Sequence, residues 1–219
     1  MLVQIYGVTT RGDAEMVNTL APDNVGIVVD EGFGTWDAVD EATARAIASE
    51  LTDVTTVALS LATKRDRILR TAETVAPGVI HLVRAGEMRP ELLANLRDEL
   101  RPIQLMLTVP VVNDASLRWA RHLSGAADYL LLDSADPQSG TVGATGRVHD
   151  WSLSRRLVAS CSTPSILAGG LGPANVLEAI DTVHPYGVDS ETRTSRDDDR
   201  RRKDPERVKL FIERARSRV

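Results

Sequence analysis

Ser165-Ile166-Leu167-Ala168, then Gly169-Gly170-Leu171-Gly172, then Pro173-Ala174-Asn175-Val176-Leu177-Glu178-Ala179-Ile180 compress one structural unit into a single short stretch. A brief apolar run bounded by glycine reads as a strand buried on both faces. The glycines mark a tight turn, and Pro173 carries the fixed φ that suits the first turn of a helix running to Thr182. Strand, turn and helix in that order make a parallel crossover unit.

The same unit repeats outward from this stretch. Strand candidates fall at residues 3–8, 25–30, 54–60, 79–83, 103–108, 129–133, 165–168 and 186–189. Helix candidates alternate with them at 12–20, 37–51, 64–75, 89–100, 114–123, 151–159, 173–182 and 205–216, with Asn113 or Asp114 placed to cap the fifth. Eight pairs predict a single α/β domain over residues 1–219, a (β/α)8 TIM barrel. A doubly wound open sheet uses the same alternation, but no dinucleotide-type glycine turn follows the first strand, which favours closure.

Of the 219 residues, 42% are hydrophobic and 26% charged, enough apolar surface for a large core and too much for a disordered chain. The net charge is -5 with both signs interleaved, so nucleic acid is not an expected partner. No apolar run approaches the roughly 20 residues that span a bilayer, so no membrane is expected. Met1-Leu2-Val3-Gln4-Ile5 lacks the basic segment and apolar core of a signal peptide, and a cytoplasmic location is expected. The single cysteine, Cys161, reads as a small residue before a strand and offers neither a disulfide nor a metal cluster. Two stretches stand out: a long polar connection at 134–150 with Gly140, Gly143 and Gly146, and a charge run at 190–203 that reads as a solvated, partly disordered loop.

In a parallel barrel, side chains and loops just past the C-terminal strand ends converge on one pocket. That rule collects Tyr6, Thr9, Asp30, Glu31, His81, Arg84, Asp133, Gly169, Gly170 and Asp189. Asp133 closes the apolar run Leu130-Leu131-Leu132, where partial burial raises a carboxyl pKa and suits a general acid; an Asp capping the next turn is the competing reading. Gly169-Gly170 beside a helix N-terminus suits phosphate binding, with an unliganded tight turn as the alternative.

Taken together, the motifs resemble the phosphoribosylanthranilate isomerase family. Gly143-Ala144-Thr145-Gly146-Arg147-Val148-His149-Asp150-Trp151 is similar to that family's Gly-Gly-Thr-Gly-Lys-Thr-Phe-Asp-Trp. Ile166-Leu167-Ala168-Gly169-Gly170-Leu171, Pro173-Ala174-Asn175-Val176, Pro185-Tyr186-Gly187-Val188-Asp189 and Lys203-Asp204-Pro205-Glu206 extend the likeness, as does Gly7-Val8-Thr9-Thr10-Arg11-Gly12-Asp13-Ala14 near the start. The resemblance implies a cofactor-free Amadori rearrangement of a phosphoribosylamine, with a small phosphorylated sugar as partner and no metal. It also implies a general acid on the sixth strand, matched by Asp133, and a cysteine base on the first, where Tyr6 stands.

The departures concern that base and the substrate contacts. A phenol ionises near 10 and a thiol near 8.5, so Tyr6 is a poor replacement for a cysteine base. The family's Arg after the second strand, which contacts the anthranilate carboxylate, falls near Asp37. Its Gln-Leu-His-Gly reads His81-Leu82-Val83-Arg84, which shifts the imidazole two positions on the same strand face. Its Asp-Val-Ser-Ser-Gly-Val-Glu reads Asp189-Ser190-Glu191-Thr192-Arg193-Thr194-Ser195, losing a glycine but offering Thr192 and Arg193 to a phosphate.

The expected function is therefore aldose-ketose isomerisation of a phosphorylated sugar or sugar amine with an altered substrate. Asp133 is the expected acid, His81 or Tyr6 the proton shuttle, and Gly169, Gly170, Thr192 and Arg193 the phosphate ligands. The family's own activity and a non-catalytic metabolite- or partner-binding barrel are the alternatives.

Overall fold

The computed structural model describes residues 1–29, 34–135 and 149–218. Its strands are β1 (Leu2–Ile5), β2 (Asn24–Val29), β3 (Ala38–Val39), β4 (Thr55–Ser60), β5 (Val79–Leu82), β6 (Gln104–Val111), β7 (Tyr129–Ser134), β8 (Ser165–Leu167) and β9 (Gly187–Ser190). Every pairing between them is parallel, and β1 pairs with both β2 and β9, which closes the sheet into a barrel. The two-residue β3 pairs with β2 and stands outside the ring. Around the ring lie α1 (Arg11–Leu20), α2 (Glu41–Ala48), α3 (Arg65–Val75), α4 (Pro90–Glu99), α5 (Ala115–Ser124), α6 (Trp151–Ser160), α7 (Val176–Val183) and α8 (Pro205–Arg216).

Side chains alternate across each strand, so every strand feeds two cores. Along β7, Leu130 and Leu132 pack outward in the strand–helix layer with residues such as Ile68, Leu96 and Phe211, whereas Leu131 turns inward beside Val57, Val79, Met106 and Ile166. Both faces are buried, which is why most strands read as apolar runs. The interior also holds a polar chain at the register of Gln4: Asn24 Nδ2 donates to Gln4 Oε1 at 3.0 Å, and Gln4 Nε2 donates to Asp189 Oδ1 at 3.2 Å.

Three local expectations are corrected. The helix foreseen from residue 37 starts at Glu41, capped by Asp40, which accepts from the Thr43 N–H, because Ala38 and Val39 extend the pairing on β2 instead. The helix foreseen from Pro173 starts at Val176. Ahead of it the chain closes a turn in which Gly172 N donates to Asn175 Oδ1 at 2.8 Å and Asn175 Nδ2 donates to Gly170 O at 3.1 Å.

The charge run at 190–203 is ordered and anchored at its ends, although residues 196–201 are exposed to solvent as expected. Thr192–Thr194 form a 3-10 turn, Ser195 bridges to Lys203, and Lys203 is wholly buried. Its charges found partners: Lys203 Nζ donates to Glu191 O at 2.9 Å and to Ser195 Oγ at 3.1 Å, and Arg202 forks onto buried Asp13 at 2.9 and 3.2 Å. Burial of charge is tolerable only with such pairing.

Candidate active site

Asp133 sits at the C-terminal end of β7, on the inward face, and accepts from the Ser134 N–H at 2.7 Å. Burial pushes its pKa up to about 6, against the pull of that hydrogen bond. Asp189, on β9, is pushed up to about 8, first by burial and then by the nearby charge of Asp133. Two carboxyl groups with separated pKa values at one barrel mouth can divide acid and base work.

Tyr6 follows β1 and lies flat across Gly26, where a Cβ would meet the Tyr6 Cδ1 at 2.2 Å. Only glycine on β2 leaves room for that ring. The Tyr6 hydroxyl lies 2.7 Å from His81 Nδ1, and His81 Nε2 lies 2.7 Å from Thr108 Oγ1. Burial drives the His81 pKa down to about 3, so the imidazole is neutral at physiological pH. Tyr6 moves well above the usual phenol value, through burial and then the negative potential of Asp189 and Glu191. Tyr6 and His81 thus meet as a closed relay inside the barrel, each satisfying the other.

Between Tyr6 and Asp133 in the ring, the loops after β8 and β9 come together. Gly169 and Gly170 adopt φ of 81° and 66°, the left-handed region that favours glycine. Ser190 Oγ donates to Leu171 O at 2.7 Å, and the Arg193 side chain packs so closely on Gly172 that a Cβ there would stand 2.5 Å from it. Gly169, Gly170, Thr192 and Arg193 therefore share one edge of the mouth. Other candidates serve the scaffold: Thr9 Oγ1 donates to Arg201 O at 2.6 Å, and Arg84 pairs with Glu87 at the surface. Asp30, Glu31 and the segment Gly143 to Val148 of the quoted motif lie outside the described residues.

Two residues of the mouth escaped functional assignment from sequence. His149 bonds Ser154 Oγ through Nε2 at 2.7 Å, and its ring covers Gly169, where a Cβ would stand 2.7 Å from Nδ1. That Nδ1 is buried and, among the described residues, has no hydrogen-bond partner; burial lowers the ring's pKa to about 4. A polar residue where the related motif carries Phe was the available signal.

Glu191 stands in the quoted segment after the last strand without an assigned role. Its carboxyl folds back over Gly7, where a Cβ would stand 2.8 Å from Oε1, and burial and then the neighbouring Asp37 push its pKa well above the usual carboxylate value. Its position directly after a strand was the signal. Among the described residues no group of three His, Cys, Asp or Glu could hold a metal, and no helix is long and apolar enough to cross a membrane.

A closed parallel barrel with an acid at a strand end and a double-glycine turn after the neighbouring strand defines the class of α/β barrels whose working site is the C-terminal mouth. A family profile described as N-(5'phosphoribosyl)anthranilate (PRA) isomerase matches residues 4–214. The chain belongs to this family. An N-(5'-phosphoribosyl)anthranilate isomerase of Methanocella arvoryzae is 32% identical over 215 residues, 98% of this chain and 97% of the relative. The crystal structure of the phosphoribosyl anthranilate isomerase from Thermus thermophilus superimposes with a TM-score of 0.82 at 26% identity, covering 100% of both chains. Another phosphoribosyl anthranilate isomerase was solved in complex with reduced 1-(o-carboxyphenylamino)-1-deoxyribulose 5-phosphate; it superimposes with a TM-score of 0.80 at 27% identity over 98% of each chain.

Proposed function

We propose that the chain catalyses cofactor-free aldose-to-ketose isomerisation of a phosphoribosylamine, with N-(5'-phosphoribosyl)anthranilate as the first substrate. The observation that carries this reading is Asp133, a carboxyl at the end of β7 whose pKa near 6 keeps a usable fraction protonated at neutral pH. In the proposed reaction Asp133 protonates the ring oxygen and opens the sugar. Gly169 and Gly170, with Thr192 and Arg193 across the joined loops, hold the phosphate. The Tyr6–His81 relay lines the floor. The relative solved with a carboxyphenylamino deoxyribulose phosphate supports a substrate of this shape.

One observation favours a second reading, a changed substrate: the acidic Asp37, beside Glu191, stands where the related motif carries the arginine that contacts the anthranilate carboxylate. The test is direct. Anthranilate fluorescence follows turnover of N-(5'-phosphoribosyl)anthranilate, and the same phosphoribosylamine built on aniline removes the carboxylate. Turnover of the anthranilate compound at about 1 to 1000 per second supports the first reading. Turnover of the aniline compound alone supports the second, and turnover of neither sinks both.

A further inference from the structure

The family's strand-one base has no counterpart in Tyr6, whose hydroxyl is committed to His81. The space in front of β1 is nevertheless filled by an acid. Gly7, the residue after Tyr6, adopts φ of 72°, and its missing side chain makes room for the Glu191 carboxyl. One Glu191 oxygen, Oε1, is buried against Gly7 with no hydrogen-bond partner among the described residues. The carboxyl also lies beside Asp37, which favours its neutral form, and Lys203, whose Nζ donates to Glu191 O at 2.9 Å, supplies a cation behind it.

We propose that Glu191 is the base that moves the sugar proton, standing in front of β1 in place of the family's strand-one residue. The inference rests on the isomerase reading above. Asp133 gives its proton to the ring oxygen, the C1′–O4′ bond breaks, and the nitrogen lone pair forms the C1′=N bond. Glu191 takes the proton from C2′; that electron pair forms C1′=C2′, and the C=N pair returns to nitrogen. Glu191 then returns its proton to C1′ while Asp133 takes the C2′ hydroxyl proton, leaving a ketone and both carboxyl groups as they began. No oxidant or reductant is needed. Burial, and then Asp37, push the Glu191 carboxyl toward its neutral form against the pull of Lys203, so it acts as a base from its minor ionised fraction, and that fraction is the more basic for the raised pKa. The charged or titratable groups facing it are Asp37 ahead of β3, Lys203 ahead of α8, Asp189 on β9 and Tyr6 after β1.

The experiment uses the full chain with Glu191→Gln, Glu191→Asp and Asp37→Asn. Glu191→Gln is expected to lower kcat about 1000-fold with KM changed less than about threefold, and Glu191→Asp to restore part of the loss. Wild-type kcat within about threefold in Glu191→Gln overturns the proposal. Should Glu191→Gln fail to fold, Asp37→Asn decides. A base must be ionised, so activity falls as pH drops through its pKa, and removing Asp37 moves that limb to lower pH; an unmoved limb overturns the proposal. If wild type turns over neither phosphoribosylamine, the isomerase reading fails, and deuterium wash-in at C1 of ribulose 5-phosphate still tests Glu191. Wash-in by wild type that Glu191→Gln loses supports the base, and no wash-in by wild type overturns it.

Discussion

Replacing Asp189 by Asn makes the electrostatic cost of the barrel interior measurable. Asp189 is 6% exposed and accepts from Gln4 Nε2 at 3.2 Å, an acceptor role that an amide oxygen keeps. Its folded pKa is about 8, raised above the ordinary aspartate value by burial and by Asp133. A carboxyl raised on folding contributes stability that is fully present below its unfolded pKa and is lost as pH rises through the folded one. The window therefore runs from about pH 4 to about pH 8. At about 1.4 kcal/mol per pH unit, the wild-type penalty grows by about 3 to 4 kcal/mol between pH 5 and pH 8. A neutral amide carries no such penalty, so the stability gain of Asp189→Asn should widen by that amount over the same interval. Taking the difference between the two proteins cancels the opposite-signed His81 and His149, lowered to about 3 and about 4 by burial. Equilibrium urea unfolding at pH 5, 6, 7 and 8 gives the free energies by linear extrapolation. A gain that stays constant within about 0.5 kcal/mol across that range would refute the reasoning.

Other substitutions probe separate links. Asp133→Asn should lower turnover by about 100- to 10,000-fold, and wild-type activity should decline as pH rises through about 6, since the acid must be protonated; pH–rate profiles of both proteins test this. Gly26→Ala drives a methyl into the Tyr6 ring and should cost about 1–3 kcal/mol, seen as a lower Tm. Asp13→Ala strands the Lys203 N–H and the Arg202 fork, and denaturant unfolding should show a loss of about 1–3 kcal/mol.

Strand order and the place of Asp133 were legible because they depend on short-range patterns. An apolar run ending in a carboxylate puts that group at a strand exit whatever the neighbours do, and parity along β7 turns Leu131 and Asp133 to the same face. Partner identities were not legible. Tyr6 and His81 are 75 residues apart on strands that are not neighbours in the ring, and only closure brings them to 2.7 Å. The charge run misled for a related reason: a cluster of Arg, Lys and Asp looks solvated until Asp13 and the Glu191 carbonyl are known to lie beside it. Pro173 misled locally, because the Asn175 side chain closes the turn before α7 and delays the helix.

The sequence by itself determined the repeating strand–helix unit, the barrel class and the family, all of which follow from periodicity and motif order along the chain. Tertiary structure alone decided which acids face one another. Glu191 acquires its place over Gly7, its acidic neighbour Asp37 and the buried cation Lys203 from three separate loops. Proton chemistry depends on distances and burial across the mouth, and a linear pattern does not encode those until the ring has closed.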